Sequence, residues 1–222
     1  MWTTFLITGT IFFHEQFESG NFNNWVNSPW NNEMSGKWVL NTTEYNDMVD
    51  VGLTTSEDGR FYTISHEFEE FSNSNMNLSV FYSVANKQDI DCGGAYIKLF
   101  PSSVNKETLK GGPDESKYNI MFGPDICGGT KKTHLIFNYN SSNLEKNNFM
   151  MCESDTFSHM YGFRLEPNGK YNVTINGKSI SSGNLRDDWG FLHDKQIQDP
   201  TQTKPLDWVD DEYIPDPSDT KP

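Results

Sequence analysis

Basic residues and long apolar runs are both scarce in this 222-residue sequence. The 17 Lys and Arg are outnumbered by 31 Asp and Glu, which gives a formal net charge of −14. A nucleic-acid surface needs clustered cations opposite the phosphates, so this balance argues against nucleic acid as a partner. A membrane-spanning helix needs about 18 or more consecutive apolar residues. The sequence has no such stretch, so we expect no membrane span.

Cysteine is also scarce, and its spacing argues against a zinc cluster. Cys92, Cys127 and Cys152 form no C-x-x-C pair and have no histidines at the spacing that marks zinc sites. In an oxidising compartment, one disulfide and one remaining thiol best account for three cysteines. Glycines beside Cys92 and Cys127 would let their chain segments approach closely, whereas Cys152 fits a small buried apolar position.

Both ends of the chain lack the composition of a folded core. Residues 1–10 are mildly apolar but lack the basic start and long apolar middle of a secretion signal, so we interpret them as a degenerate or truncated signal segment. Residues 187–222 carry ten carboxylates against three lysines and are rich in proline, which is typical of an arm without its own core. We therefore predict a globular domain over residues 11–190 and a boundary near residue 190.

The acidic end contains a repeat with an offset of 17 residues. Its six identities run from Ile197 to Pro205 in the first copy and from Ile214 to Pro222 in the second. The first copy continues into Leu206–Trp208, whereas the second stops at Pro222. Repeats of this kind need neighbours to bury their few apolar groups, so we expect the chain to be a fragment of a longer protein.

Alternation of apolar and polar residues dominates between residues 10 and 180. Apolar side chains recur at every second position in MNLSVFYSVA, THLIFNY and MYGFRLE, a pattern typical of half-buried antiparallel strands. The dipeptides Asn168-Gly169 and Asn176-Gly177 bracket a further strand and predict hairpin turns. About nine or ten strands without an amphipathic helix predict an all-β sandwich. The alternating apolar residues are Leu78, Val80, Tyr82 and Val84; Leu135, Phe137 and Tyr139; and Tyr161, Phe163 and Leu165.

One predicted strand, DCGGAYIKLF at residues 91–100, carries an unusual mixture of side chains. Alternate residues of a strand share a face, so Ile97 and Leu99 point one way and their neighbours point the other. We interpret the face of Ile97 and Leu99 as core and the opposite face as one that displays chemistry. The displayed residues are Cys92, Gly94, Tyr96 and Lys98.

A family resemblance is carried by FFHEQF, RFYTIS, IDCGGAYIKLF, YNIMFGPDICG, TKKTHLIFNY and IQDPTQTKPLDW. These segments closely resemble the calreticulin/calnexin family, and the resemblance covers about residues 11–222 without a long gap. It implies a legume-lectin-like, concanavalin A-like jelly-roll sandwich of two antiparallel sheets, from which a proline-rich arm, the P-domain, projects. Residues 191–222 are then expected to form the beginning of that arm.

The resemblance implies a lectin chaperone of the endoplasmic reticulum lumen. Members of the family hold newly made, unfolded glycoproteins through the terminal glucose of a monoglucosylated N-glycan, depend on calcium, and recruit a disulfide isomerase through the tip of the P-domain. The alternative is a calcium-storage protein or a chaperone that binds polypeptide without the glycan. Hydrogen-bonding groups at Tyr96, Lys98, Tyr118 and Asp125 favour the lectin over this alternative.

The resemblance also implies a sugar site and a disulfide. A hexose presents hydroxyls that donate and accept, so a carboxylate, a lysine, phenols and apolar surface against the ring all suit it. Gly93 and Gly94 are expected to leave room for the sugar ring. The family's disulfide corresponds to Cys92 and Cys127, which would tie together the two strands that carry most of these groups. The implied sugar-binding residues are Tyr96, Lys98, Tyr118, Met121, Asp125 and Ile136, flanked by Cys92 and His134.

A structural calcium is the remaining group that the resemblance implies. Its ligands in this chain would be the backbone carbonyls of Gln16, Val49 and Val51, completed by an aspartate that follows the arm, beyond Pro222. Backbone oxygens are hard ligands of the kind that calcium prefers.

A glycoside hydrolase is the enzymatic alternative, because glycosidases use the same sandwich with paired carboxylates across a cleft. Glu67, Glu69 and Glu70 in HEFEEF are the nearest candidates, and Glu67 and Glu69 would share one face of a strand. No second strand with carboxylates faces them in an obvious way, and the resemblance implies binding without hydrolysis. The sequence therefore predicts a protein that is not an enzyme.

Overall fold

The computed structural model of the chain describes residues 9–27, 33–45, 48–104, 109 and 118–191, together with 201, 203–205, 208 and 218. The chain divides into two compact units, Met1–Phe191 and Leu192–Pro222. The described part of the first unit contains thirteen strands and one four-residue helix, α1. These elements are β1 Val26–Asn27, β2 Trp38–Tyr45, β3 Met48–Thr55, β4 Ile64–Ser65, β5 Leu78–Ala85, β6 Cys92–Gly94, β7 Ile97–Leu99, β8 Ile120–Cys127, β9 Thr130–Tyr139, β10 Ser142–Glu145, β11 Ser158–Leu165, β12 Lys170–Ile175, β13 Lys178–Asn184 and α1 Leu185–Asp188.

Two large antiparallel sheets form the body of this unit. The five-stranded sheet has the order β10-β9-β8-β6, and β7 pairs with the first residues of β8, whereas β6 pairs with its last residues. The four-stranded sheet has the order β13-β12-β11-β5. Two further antiparallel pairs join β1 to β4 and β2 to β3. The predicted all-β class is confirmed, and the strand count exceeds the prediction because strands of two or three residues are too short to show alternation.

The hydrophobic core lies between the inner faces of the two large sheets. Phe122 of β8 and Phe163 of β11 are each 1% exposed, and their rings meet edge to face with centroids 4.9 Å apart. Leu135 of β9 and Val173 of β12 are fully buried. Full burial of such a side chain contributes about 1.5–3 kcal/mol. The predicted alternation is confirmed on these strands, except that Tyr139 is exposed where β9 ends.

Two-residue turns set the register of two hairpins. Asn176 and Gly177 between β12 and β13 have φ of 53° and 76°, and positive φ at both central positions is the turn geometry that Asn-Gly favours. That predicted hairpin is confirmed. Gly169 also has positive φ, but it ends a four-residue connection between β11 and β12. Asn140 and Ser141 form an equivalent two-residue turn between β9 and β10, with φ of 49° and 64°.

A tryptophan after the short helix closes one part of the core. Trp189 is 2% exposed, and its indole Nε1 donates a hydrogen bond to the backbone oxygen of Leu135 at 3.0 Å. Its ring packs edge to face on Tyr171 and Phe137. The hydrogen bond satisfies the polar end of a buried indole, so Trp189 links the segment after β13 to the middle of β9.

The disulfide implied by the resemblance is present. Cys92 and Cys127 lie directly opposite each other on β6 and β8, with Cα atoms 4.0 Å apart and sulfurs bonded. Cys152 is free and buried, and burial raises the pKa of its thiol. Its Sγ lies 3.8 Å from the backbone oxygen of Asp125.

Two expectations about other segments have different outcomes. The predicted strand through Glu67 and Glu69 is wrong, because β4 ends at Ser65 and both carboxylates, like that of Glu70, lie exposed in the irregular segment that follows. The repeat from residue 197 to 222 lies mostly outside the described residues. Within the described residues, no helix has the length and apolar character needed to cross a membrane.

Candidate functional site

The side of the five-stranded sheet that points away from the core, called the outer face below, presents rows of side chains across its strands. Phe122, Leu135 and Phe137 point into the core, so the residues that alternate with them point outward. The register of the antiparallel pairs then aligns residues from β7 to β10 in one row. This first row is Lys98, Met121, Ile136 and Glu145.

Two shorter rows lie beside it on the outer face. Gly123 pairs with His134, and the ring of Tyr96 meets the imidazole of His134 edge to face with centroids 5.9 Å apart. Asp125 pairs with Gly94 on one side and with Lys132 on the other. The first row and the row of Gly94, Asp125 and Lys132 therefore lie on opposite sides of the Tyr96–His134 contact.

The gap between β6 and β7 places Tyr96 on this face, and Gly123 makes the gap possible. Tyr82 of the opposite sheet donates hydrogen bonds to the backbone oxygens of Ala95 at 2.7 Å and Phe122 at 3.2 Å. Gly123 has φ of 147°, and a Cβ there would lie 2.1 Å from the Tyr82 hydroxyl and 2.3 Å from the Ala95 oxygen. Only glycine fits this backbone and this close approach.

Tyr96 and Asp125 form the central polar contact of the outer face. The Tyr96 hydroxyl donates a short hydrogen bond to Asp125 Oδ1. Burial, followed by the hydrogen bond and charge of Asp125, raises the pKa of Tyr96 well above its ordinary value. The other carboxylate oxygen of Asp125 lies 3.7 Å from His134 Nε2. Asp125 therefore accepts from Tyr96 on one side and faces His134 on the other.

His134 is held from its other side by a residue of β10. Its Nδ1 lies 2.5 Å from Glu145 Oε1, and Lys132 Nζ donates to the same oxygen at 3.2 Å. Side-chain exposure is 11% for His134 and 46% for Glu145. Hydrogen bonds thus connect Lys132, Glu145 and His134, and the other nitrogen of His134 faces Asp125.

Lys98 and Tyr118 lie next to each other at the start of β8. The Lys98 ammonium is 5.3 Å from the centroid of the Tyr118 ring, within the range of a cation–π interaction. Tyr118 is 8% exposed. Burial, and then the charge of Glu145, raise the pKa of Tyr118.

The space beside Gly94 is already filled, although the sequence predicted that it would be open to a sugar ring. A Cβ on Gly94 would lie 2.1 Å from the Tyr96 ring and hydroxyl, so the ring of Tyr96 itself occupies the room that this glycine provides. Gly94 permits the Tyr96–Asp125 hydrogen bond rather than leaving space for a sugar ring. At Gly93, a Cβ would lie 3.3 Å from a side-chain methyl of Ile90.

The structure brings the sugar-binding residues that the sequence predicts onto or beside one face, where their role in binding stays a prediction. Sequence reasoning missed Lys132 and Glu145. Alternation within TKKTHLIFNY already places Lys132 on the face of His134, so that residue could have been found. Glu145 could not, because its position depends on the register across the Asn140–Ser141 turn. The predicted residues placed here are Tyr96, Lys98, Tyr118, Met121, Asp125, His134 and Ile136, with Cys92 at the start of β6.

The predicted calcium ligands lie on two separate segments. Gln16 is in the irregular stretch before β1, whereas Val49 and Val51 are both on β3. Residues two apart on a strand direct their carbonyls to the same side, so Val49 and Val51 fit a cation that takes backbone oxygens. The complete calcium site stays a prediction.

One cluster of potential metal ligands, formed by Glu153, Asp155 and His159, is better explained by a hydrogen bond between His159 and Asp155. Asn176 Oδ1 accepts from the Met160 amide, so its Nδ2 donates to His159 Nδ1 at 2.9 Å. The proton of His159 is then on Nε2, which lies 2.7 Å from Asp155 Oδ1. This bond, with the Phe157 amide, lowers the pKa of Asp155. A protonated Nε2 cannot bind a metal.

Comparison with known proteins places these features in a family. A profile of the calreticulin family matches residues 13–222. Calreticulin of Mus musculus is 47% identical over 203 residues, which cover 89% of this chain and 48% of the mouse protein. Calreticulin of Homo sapiens is 44% identical over 203 residues, with the same coverage of 89% and 48%. The chain thus spans about half the length of the curated relatives it matches.

A solved structure agrees with the sequence comparison. The T. cruzi calreticulin globular domain matches with a TM-score of 0.77 and 33% identity, covering 91% of this chain and 76% of that one. The predicted lectin-like sandwich is confirmed by this likeness. The chain belongs to the calreticulin family.

Proposed function

We propose that this chain is the sugar-binding part of a lectin chaperone of the endoplasmic reticulum lumen, which holds newly made glycoproteins through monoglucosylated N-glycans. The observation that carries the proposal is the shared outer face of the five-stranded sheet. On it, the carboxylate of Asp125, the ammonium of Lys98 and the phenol of Tyr96 lie beside the apolar side chains of Met121 and Ile136.

Each of these groups has a role that suits a hexose. Asp125 accepts hydrogen bonds from two sugar hydroxyls, and Lys98 donates to a third. Met121 and Ile136 follow Lys98 in the first row and cover the apolar face of the sugar ring. Tyr96 orients Asp125 through its hydrogen bond, and Tyr118 orients Lys98 through the cation–π contact.

The proposal is binding without hydrolysis. A glycosidase needs one protonated carboxyl group and one ionised group across the scissile bond. Asp125 accepts from Tyr96, and Glu145 accepts from His134 and Lys132, so both carboxyl groups are engaged as acceptors by neighbouring side chains. Calcium on the Gln16, Val49 and Val51 carbonyls would stabilise the fold. Unfolded glycoproteins and, through the P-domain tip, a disulfide isomerase are the proposed partners.

The test is calorimetric titration of the full-length protein with a monoglucosylated oligomannose. Asp125→Ala removes charge-assisted hydrogen bonds worth roughly 1.5–3 kcal/mol each, enough to abolish weak monovalent binding. Glu69→Ala and Arg164→Ala change an exposed carboxylate and a cation of the other sheet, so both should bind like the parent.

The outcomes separate the proposal from its alternative. Loss of binding only in Asp125→Ala supports the lectin. A parent protein that binds calcium and unfolded polypeptide but not the glycan would overturn it in favour of the calcium-storage or glycan-independent chaperone. Glycan binding that survives Asp125→Ala and is lost in Glu69→Ala would place the sugar elsewhere.

A further inference from the structure

Glu145 ends the first row of the outer face at the edge strand β10. It pairs directly with Ile136 and therefore lies diagonal to His134, within reach of a long side chain. Its Oε1 lies 2.5 Å from His134 Nδ1 and accepts from Lys132 Nζ at 3.2 Å. An ionised carboxylate can only accept hydrogen bonds, so Nδ1 is the nitrogen of His134 that carries the proton.

The other nitrogen of His134 is then left as an acceptor. In a neutral imidazole protonated on Nδ1, the lone pair of Nε2 points outward. Nε2 lies 3.7 Å from Asp125 Oδ2, which is longer than a hydrogen bond. Two acceptors therefore face one another on the outer face without a proton between them. Such a pair suits a ligand with adjacent donors, as two neighbouring hydroxyls of a hexose provide.

We propose that Glu145 is a positioning residue that holds His134 in its Nδ1–H tautomer, so that Nε2 accepts a hydrogen bond from a sugar hydroxyl next to one of the hydroxyls bound by Asp125. The inference rests on the proposed sugar-binding function and adds a specificity-determining pair to it. Ligands with two adjacent free hydroxyls are favoured over those in which one is replaced by hydrogen.

The chain contains a natural reference for this geometry. At the start of β11, Nε2 of His159 lies against Asp155, which precedes the strand, while Asn176 donates to Nδ1. The carboxylates of the two pairs are almost equally exposed, at 46% for Glu145 and 47% for Asp155. Because the partner of each ring determines its tautomer, the two histidines are expected in opposite tautomers.

The first test reads the tautomers directly by NMR. Long-range ¹H–¹⁵N spectra of the full-length protein, at a pH high enough to keep ordinary histidines neutral, should show Nδ1–H for His134 and Nε2–H for His159. The His134 signals are assigned by their loss in His134→Gln. Glu145→Leu should shift His134 towards Nε2–H, whereas Asp155→Leu should leave His134 unchanged. A protonated Nε2 on His134 in the parent would overturn the proposal.

The second test measures sugar affinity in the same variants. Loss of one hydrogen bond between neutral groups should weaken binding of the monoglucosylated oligomannose about fivefold in Glu145→Leu. Glu145→Gln keeps an oxygen that can accept from Nδ1–H, so its affinity should fall between those of Glu145→Leu and the parent. Asp155→Leu should bind like the parent. Thermal melting of each variant checks that it is folded, as expected for substitutions at exposed positions.

The result for Asp125→Ala separates this inference from the proposed function. If Asp125→Ala loses the glycan but Glu145→Leu binds like the parent, the sugar site stands and the role of Glu145 is wrong. If Asp125→Ala binds like the parent, the proposed function and this inference fail together.

Discussion

The outer faces of the two large sheets are built from the same kind of strand but differ in their side chains. On the five-stranded sheet, a row combines the charged Lys98 and Glu145 with the apolar Met121 and Ile136. On the four-stranded sheet, the corresponding row joins Ser79, Arg164, Asn172 and Ser182, all of them polar. A hexose needs both polar partners and an apolar surface, so of these two rows the first has the composition of a sugar site.

The position of a surface hollow does not coincide with the row that mixes charged and apolar side chains. A hollow of about 520 Å³ lies on the four-stranded sheet and is lined by Arg164, Lys170, Asn172 and Asn184 among others. Several of these groups are already bonded to neighbours: Asn172 accepts from Ser179 at 2.6 Å, and Asn184 caps α1. The arrangement of complementary groups therefore identifies the candidate site better than the volume of a hollow does.

Removing the disulfide should have the largest effect on stability. This bond links β6 and β8 and therefore stabilises the five-stranded sheet. Cys92 and Cys127 are separated by 35 residues, and opening a loop of that length lowers the free energy of unfolding by roughly 4 kcal/mol on the chain-entropy model. Urea unfolding of the Cys92→Ser/Cys127→Ser double variant measures this loss. Reductant should destabilise the parent and leave the double variant unchanged; equal sensitivity of the two proteins would contradict the prediction.

A matched pair of glycines gives the next largest difference between the sheets. Gly123→Ala drives a Cβ into the Ala95 backbone oxygen at 2.3 Å and should cost about 3 kcal/mol or more in unfolding free energy. A Cβ on Gly162 of β11 meets mainly the ring of Phe81, which is half exposed and can swing away. Gly162→Ala should therefore cost only about 1 kcal/mol, and equal losses would remove the distinction.

Two tyrosine–aspartate hydrogen bonds, one on each sheet, should differ in role: one supports glycan binding and the other supports stability. Tyr96→Phe removes a partner of Asp125 and should weaken glycan binding about tenfold with little change in stability. Tyr171 is buried and donates to Asp188, so Tyr171→Phe should lower the unfolding free energy by about 1–2 kcal/mol without affecting the glycan. Calorimetric titration and urea unfolding of both variants test this, and a reversed pattern would contradict it.

A further effect appears at alkaline pH, and two tyrosines of the four-stranded sheet contribute to it. Burial raises the pKa of Tyr161 to about 12, and burial together with the Asp188 hydrogen bond raises that of Tyr171 to about 12. Since an unfolded tyrosine titrates near pH 10, their contribution is complete below about pH 10 and is lost as the pH rises towards about 12. Unfolding free energies measured across this range should fall, and less steeply in Tyr171→Phe. A constant free energy would exclude this contribution.

Local patterns were sufficient to predict the strands and part of the site. Alternation predicted the inward Leu135 and Phe137, and the outward Lys98 and His134 follow from the same period of two. The Asn176-Gly177 turn is a local preference of the backbone. Assigning Tyr118, Met121 and Asp125 to the site needed the family resemblance, because none of these residues carries a distinguishing local signal.

Other features depended on contacts between distant parts of the chain. Glu67 and Glu69 alternate as strand residues would, yet the chain leaves the sheet at Ser65. The ring of Tyr96 occupies the space at Gly94, because its rotamer places the hydroxyl against Asp125. No local sequence pattern identified Trp189 as a core residue, since its hydrogen-bond partner Leu135 is 54 residues away.

The sequence by itself therefore determined the all-β class, the inner and outer residues of the long strands, the family, and the residues proposed to bind sugar. These depend on period and on local turn chemistry, which act over a few residues. The tertiary structure alone decided that Glu145 holds His134, that Gly123 admits the Tyr82 hydroxyl, and that Tyr96 bonds to Asp125. Such contacts depend on the register between strands and on which sheets face each other, because hydrogen bonds and packing join residues that no local pattern connects.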